Sequence, residues 1–280
     1  MLRKGIALAA LGLALVAGPA LAAGDAKTPE PVDFSFKGPF GRFDQAQLQR
    51  GYKVYREVCA ACHGMDLLSF RNLGQKGGPF YDPAYPNPND NPYVKTIAAE
   101  YQISDIDSET GDVIQRPGTS ADAFPNPYPN EAAARAGNGG AMPPDLSVMA
   151  KARKYGPDYI HALMAGYVDP PAGLQVTPGQ YYNPYMAGDT TPFWTGEGHA
   201  PKGGFIAMPP QLAADKVTFD DGTPSTIDQQ AKDVAAFLYW AAEPKMEERK
   251  AFGFGAMIYL VIFAGLLYAS YRRIWRNVAH

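Results

Sequence analysis

Uninterrupted hydrophobic runs stand near the two ends of the chain. The first extends from Gly5 to Gly18, between the basic pair Arg3-Lys4 and the small residues Ala20-Leu21-Ala22. A basic start, an apolar middle and an A-x-A end are typical of a secretory signal peptide. We therefore predict a signal peptide over residues 1–22. The run is short for the alternative, an uncleaved membrane anchor.

The second run extends from Ala251 to Ser270 and contains no charged residue. Its length matches the roughly 20 residues that a helix needs to cross a bilayer, and its flanks argue against a buried helix of a soluble protein. Arginines follow at positions 272, 273 and 276, and positive charge beside a span marks its cytoplasmic side. We predict a transmembrane helix over 251–271, a cytoplasmic tail over 272–280 and one exported domain over 23–250.

Between the two runs, some segments have a helical pattern. Asp44 and Gln47 have the spacing of a reciprocal helix N-cap, and apolar residues recur at helical spacing from Leu48 to Cys59. Gly51, on the same helix, would permit a close helix crossing. A second amphipathic stripe begins near Thr226 and ends at Glu243-Pro244. We predict further short helices over 131–135, 145–154 and 157–166.

Residues 74–130 lack this periodicity. Prolines recur there among Asn, Asp, Gly and Tyr, too densely for a long helix, and only a short helical turn is expected, around Val94 to Tyr101. The aromatic residues of this region indicate packing against the rest of the domain. We therefore predict ordered loops rather than a disordered linker, within a fold that is mainly α.

The strongest chemical signal is Cys59-Ala60-Ala61-Cys62-His63, in which two thiols three residues apart are followed directly by a histidine. This is the attachment pattern of a c-type haem: Cys59 and Cys62 form thioethers with the porphyrin, and His63 is an axial iron ligand. A redox dithiol would follow a strand in a βαβ pattern, and a structural zinc site needs four ligands. The chain has neither that pattern nor a third cysteine, so one covalently attached haem c is the predicted cofactor.

Several methionines compete for the second axial position, where a thioether is common in electron-transfer haems. Met164 lies in a helical pattern typical of a core residue, and Met65 is too close to His63 to reach the opposite haem face. Met142 and Met208 each precede a Pro-Pro pair in a loop, and spacing alone does not choose between them. Met208 has the better context, because the predicted C-terminal helix of the exported domain follows it.

Charge changes this picture only slightly. The formal net charge is −3, and the exported domain is more acidic than the whole chain because both predicted ends are basic. An acidic domain suggests a basic partner and electrostatic steering, although solubility alone would account for it. We predict no nucleic-acid partner.

Several segments around and beyond the attachment motif match one family: 51–64, 143–147, 181–185, 206–210, 231–234 and 240–244. On these segments and on its C-terminal anchor, the chain closely resembles the cytochrome c1 family, the haem subunits of cytochrome bc1 complexes, in an alphaproteobacterial form. The resemblance implies a c-type cytochrome core with long loop insertions and one C-terminal transmembrane helix. It also implies Met208 as the axial ligand, since the position of Met142 is usually leucine in relatives. Arg135 matches an arginine that lies near a haem propionate in relatives.

The resemblance further implies an electron-carrying subunit of ubiquinol–cytochrome c reductase, with no catalytic chemistry of its own. Such a subunit assembles with cytochrome b, accepts an electron from the Rieske iron–sulfur protein and passes it to a periplasmic or membrane-tethered cytochrome c. It would lie in a bacterial inner membrane as a single-pass protein, with its haem domain in the periplasm. The alternatives are an anchored cytochrome c of another respiratory complex, a haem enzyme with an open sixth position, and a structural subunit whose haem is vestigial.

Overall fold

The computed structural model describes residues 26–277, and the predicted signal peptide (1–22) lies outside these described residues. Within this range the chain forms two compact units. The larger unit contains residues 30–165 and 211–277, and the smaller unit contains residues 26–29 and 166–210.

Helices dominate the larger unit. In chain order its regular elements are α1 (Gln45–Val54), α2 (Pro92–Ala99), β1 (Gln102–Ile106), β2 (Val113–Pro117), α3 (Glu131–Gly137), α4 (Pro157–Ala165), α5 (Ile227–Ala242) and α6 (Met246–Ile274). Single 3-10 turns occur at Phe70–Gly74, Pro88–Asp90 and Trp275–Asn277. This composition confirms the predicted mainly α fold with long loops.

Helix α1 begins at the predicted N-cap, because the Asp44 side chain accepts a hydrogen bond from the Gln47 backbone N–H at 3.0 Å. The reciprocal half of the predicted cap is wrong. The buried Gln47 side chain points to α5 and donates its Nε2 proton to Asp233 Oδ1 at 3.0 Å. In the reciprocal cap the Gln47 oxygen would accept from the Asp44 backbone N–H, whereas here the Gln47 amide donates a charge-assisted hydrogen bond to a buried carboxylate, which is the stronger interaction.

Helices α1 and α5 cross at Gly51, as the sequence predicted. A Cβ atom at this position would lie 2.1 Å from the Asp233 carbonyl oxygen and 2.7 Å from Phe237 Cβ. The aromatic core surrounds the crossing, with the rings of Tyr52 and Tyr55 each 5.7 Å from the Phe237 ring. Only glycine allows the two backbones to approach this closely.

A fully buried carboxylate fixes the register of this helix pair. Asp233 on α5 accepts from Arg50 Nε at 2.8 Å and from Gln229 Nε2 at 2.8 Å, in addition to Gln47. The outer side of the Arg50 guanidinium pairs with Asp221 at 2.6 Å. The buried charge is therefore both paired and hydrogen-bonded, which is the condition under which burying it is tolerated.

The proline-rich region is ordered and packs on the larger unit, as predicted. Phe124 donates its backbone N–H to Leu68 at 2.9 Å, and the Phe124 ring lies 4.4 Å from the Phe70 ring. Helix α2 replaces the short turn expected around Val94. The antiparallel hairpin of β1 and β2, paired from Gln102↔Pro117 to Ile106↔Val113, was not predicted. The half-buried positions of β1 are occupied by Ile103 and Asp105, and β2 is exposed at four of its five positions, so neither strand carries a clear apolar period-2 pattern.

Helices α3, α4 and α5 lie where the sequence predicted them, but the predicted helix over 145–154 is wrong. That segment forms consecutive turns. Its first residues are held by contacts to the attachment motif, described below.

The smaller unit contains one two-stranded antiparallel sheet. Strand β3 (Tyr181–Asn183) pairs with β4 (Gly204–Ile206) in the register Tyr181↔Ile206. A 3-10 turn at Thr191–Phe193 and an isolated bridge between Leu174 and Trp194 organise the rest.

Helix α6 is long and apolar enough to cross a membrane, by length and composition. Along the apolar run its residues are exposed, except that Gly253 and Ala256 are half-buried. The helix begins at Met246, five residues before that run, so its first turn belongs to the folded unit: Met246 itself is fully buried.

Candidate haem-attachment site

The attachment motif lies at the end of α1, where the helix widens into a π-helical turn over Tyr55–Cys59. The Ala60 N–H bonds back five residues to the Tyr55 carbonyl at 2.8 Å, and the His63 N–H bonds to the Cys59 carbonyl at 3.0 Å. Such π-turns are rare and recur at functional sites. Here the turn brings Cys59, Cys62 and His63 into one hydrogen-bonded segment.

The imidazole of His63 is oriented by a backbone carbonyl. Its Nδ1 lies 2.8 Å from the Pro144 oxygen. A carbonyl can only accept, so Nδ1 carries the proton and Nε2 keeps its lone pair. Burial lowers the pKa of His63, which favours the neutral ring that a metal requires. A hydrogen bond of this kind is the usual outer support of a metal-bound histidine.

Residues 144–147, which we call the histidine clip, hold this carbonyl in place. Three hydrogen bonds join the clip to the segment directly after His63: Leu146 N to Gly64 O at 2.9 Å, Asp66 N to Asp145 Oδ2 at 2.8 Å and Leu67 N to Ser147 Oγ at 3.1 Å. The other carboxylate oxygen of Asp145 accepts from Ser147 N at 2.8 Å. These bonds hold the clip against the residues that directly follow His63.

At Gly64, the residue directly after His63, a neighbouring side chain occupies the place of a Cβ atom. A Cβ atom at this position would lie 2.0 Å from Asn126 Oδ1. A larger residue after His63 would therefore require the Asn126 side chain to move.

The two thiols do not have the properties of a redox dithiol. Burial raises the pKa of the Cys59 thiol to about 12, whereas reactive CxxC cysteines have lowered pKa values. The motif also follows a helix rather than a strand. The Tyr128 hydroxyl lies 3.9 Å from Cys62 Sγ.

These residues fit a c-type haem. Two half-buried thiols are available for thioether bonds, and a neutral imidazole with a free Nε2 lone pair is available for the iron. The two groups for covalent attachment and the nitrogen for the iron therefore lie in one turn, as the attachment pattern of a c-type haem requires.

The structure separates the candidate methionines by their surroundings. In the larger unit, Met65 is fully buried and Met164 packs partly buried against the core, whereas Met142 is 44% exposed in a loop. Met208 lies in the smaller unit, two residues after β4, and is half-buried. Its carbonyl accepts from the Tyr167 hydroxyl at 2.9 Å, which fixes the backbone of its loop.

Arg135 lies on α3 and is engaged locally. Its guanidinium pairs with Glu131, with Nη2 2.6 Å from Oε1, and donates to the Gly140 carbonyl at 3.1 Å. The side chain is exposed, so the pair is of the weak surface type.

Sequence reasoning did not find the role of the histidine clip. The sequence assigns residues 143–147 a family match and the start of a helix but no contact with His63, because the decisive group is a backbone carbonyl and carries no side-chain signature. The available signal was an Asp-x-Ser pattern after Pro-Pro, in which Asp145 and Ser147 are both suited to bind backbone N–H groups.

A mainly helical protein with a CxxCH turn, an oriented histidine and a C-terminal apolar helix has the features of an anchored c-type cytochrome. The family model described as the cytochrome C1 family matches residues 34–278. The chain belongs to the cytochrome c1 family, which supplies the haem subunit of the bc1 complex.

Bacterial relatives extend over almost the whole chain. It is 40% identical to cytochrome c1 of Rhodospirillum rubrum, with 98% of this chain and 97% of that protein covered. It is 42% identical to cytochrome c1 of Blastochloris viridis, with 95% and 93% covered. The identity to the cytochrome b/c1 protein of Bradyrhizobium diazoefficiens is 43% over 98% of this chain, which spans only 41% of that longer protein.

Proposed function

We propose that this chain carries electrons within a quinol–cytochrome c reductase, accepting them from the Rieske iron–sulfur protein and passing them to a soluble or membrane-tethered cytochrome c. The observation that carries the proposal is the His63 imidazole, whose Nδ1 is tied to the Pro144 carbonyl at 2.8 Å. This leaves Nε2 as the iron ligand and gives the ring one orientation. Membership of the cytochrome c1 family supports the choice of complex and of cytochrome b as a partner.

The residues of the chain bind and orient the cofactor and carry out no bond chemistry of their own. Haem, when bound, supplies an iron that alternates between two oxidation states. Cys59 and Cys62 would hold the haem by thioether bonds, and His63 and Met208 would each supply one ligand to the iron. With both ligands in place the iron would have no open position for a small molecule, which distinguishes this function from that of a haem enzyme.

The experiment that tests the ligand set compares Met208→Leu with Met142→Leu. Both variants keep the attachment motif and each removes one candidate sulfur. We expect Met208→Leu to lower the midpoint potential by a large part of the range that axial ligands command, about 0.8 V, and Met142→Leu to leave it unchanged. An optical redox titration measures both. An unchanged potential and spectrum in Met208→Leu would place the ligand elsewhere and favour the haem enzyme.

The proposed topology has the haem domain in the periplasm, α6 across the inner membrane and the C-terminus in the cytoplasm. The arginines at 272, 273 and 276 support it by the positive-inside rule. Fusing a phosphatase that is active only in the periplasm to the C-terminus tests it, and an active fusion would reverse the orientation. Copurification with cytochrome b distinguishes the proposed complex from another respiratory complex.

A further inference from the structure

A short loop with a fixed shape presents an exposed aromatic ring beside α6. The loop, residues 36–43, closes through bonds from Arg42 N to Ser35 O at 3.1 Å and from Gly41 N to Gly38 O at 3.4 Å. Gly38 has a φ of 75°, and a Cβ at Gly41 would lie 2.1 Å from the Lys37 carbonyl oxygen. At the tip of this loop, Phe40 is 75% exposed.

The loop is tied to the first turns of α6. Lys250 Nζ donates to the carbonyl of Phe36 at 2.7 Å and to that of Gly41 at 3.2 Å. The backbone N–H of Phe43 donates to Glu247 Oε1 at 2.9 Å. Both ends of the loop are therefore attached to the helix, and the loop must follow any movement of the helix start.

Phe40 lies at the level of the apolar run of α6. Its ring packs edge-on against Phe254 at 5.7 Å. Phe254 comes four residues after Lys250, which is about 6 Å farther along the helix axis. Lys250 is the last charged residue before the apolar run, and the neighbouring Phe252 is 79% exposed. A single exposed phenylalanine is common on protein surfaces, but this one extends the apolar surface of a candidate membrane helix.

The charges around the loop suit a lipid surface. Arg42 follows the tip, is exposed and, among residues 26–277, makes no ion pair. Long cationic side chains beside an apolar surface can place their charge at the level of the phosphate groups. Aromatic rings are enriched at the same level in membrane proteins.

We propose that the 36–43 loop is a second membrane contact of this protein, in which Phe40 enters the lipid interface and Arg42 meets the phosphate groups. The proposal rests on α6 spanning the membrane, as proposed above, and not on the role of the haem. One helix alone leaves the folded unit free to tilt about its anchor. A second contact beside the anchor restricts that tilt and so sets the orientation of the attachment motif toward partners.

Spin labels at three positions test the proposal in the full haem-loaded chain, assembled in its complex and placed in nanodiscs of phosphatidylethanolamine and phosphatidylglycerol. The variants are Phe40→Cys, Ala46→Cys as an exposed control on α1 and Leu260→Cys as a reference within the apolar run. Unsubstituted protein treated with the same spin label is the control for any label bound to Cys59 or Cys62. The measurement is accessibility to oxygen, which concentrates in lipid, relative to a water-soluble nickel chelate.

We expect the oxygen-to-nickel ratio at position 40 to be several-fold higher than at position 46 and to lie below that at position 260. A ratio at position 40 equal to that at position 46 would place the loop in water and overturn the proposal. Shielding of position 40 from both reagents would show that another subunit covers the loop, and would also overturn it. A water-accessible label at position 260 would instead refute the membrane span itself, so the two failures are distinguishable.

Discussion

Replacing Gly51 by alanine tests whether the α1–α5 crossing organises the fold around the attachment motif. The new Cβ would lie 2.1 Å from the Asp233 carbonyl oxygen, so the helices must separate by about 1 Å to relieve the clash. The obstructing atom is backbone and cannot rotate away. Overpacking of this kind costs about 1–3 kcal/mol, and a backbone clash belongs at the upper end of that range.

Part of the cost is offset, because alanine is favoured over glycine in a helix by about 1 kcal/mol. The net loss in the free energy of unfolding is then about 2 kcal/mol. For a domain of this size each kcal/mol lowers the melting temperature by about 2–4 °C, so we expect a decrease of about 4–8 °C. Far-UV circular dichroism of the haem-loaded full chain in detergent, at one fixed scan rate, measures it.

Gly253→Ala is the matched control. Gly253 also lies within a helix, but a Cβ there meets no heavy atom within 4 Å. Gly253→Ala gains the higher helix propensity of alanine without a steric clash at the new Cβ. Its melting temperature should therefore equal or exceed that of the unsubstituted protein. If Gly51→Ala behaves like Gly253→Ala, the crossing is not close-packed and the reasoning fails.

The remaining predictions concern two aspartates. The hydrogen bond from Arg116 is the main cause that lowers the pKa of Asp122. The stability that the ionised Asp122 contributes is therefore complete above the pKa of the unfolded chain and is lost as the pH falls toward the pKa of the folded protein. Asp122→Asn should be less stable than the unsubstituted protein at pH 7, and thermal melts from pH 7 to 3 should show this difference in stability closing below about pH 4. A constant difference would exclude this linkage. Asp145→Ala leaves the backbone N–H groups of Asp66 and Ser147 without their acceptor and should lower the free energy of unfolding in urea by about 1–2 kcal/mol, whereas Asp66→Ala, at an exposed side chain, should cost much less. Equal losses would mean that the Asp145 carboxylate does not hold the clip.

The sequence predicted the elements whose pattern is local and strong. Helix α5 has both an N-cap at Thr226 and an amphipathic stripe, and it forms as predicted. The close crossing at Gly51 also followed from local pattern. The hairpin of β1 and β2 and the turns over 145–154 could not be predicted in this way, because tertiary contacts and not propensity decide their conformation. Asp233 carried a weak signal, as an acidic residue within an otherwise apolar stripe, but its partners Arg50 and Gln47 lie on another helix.

The attachment motif shows the same division between local and distant determinants. The spacing of Cys59, Cys62 and His63 fixes which atoms can bond to a haem, and one turn of the chain suffices for that. Which imidazole nitrogen keeps its lone pair is decided by Pro144, 81 residues away along the chain. A chain with an intact motif and a displaced clip should therefore keep its covalent attachment and lose the single orientation of the ring.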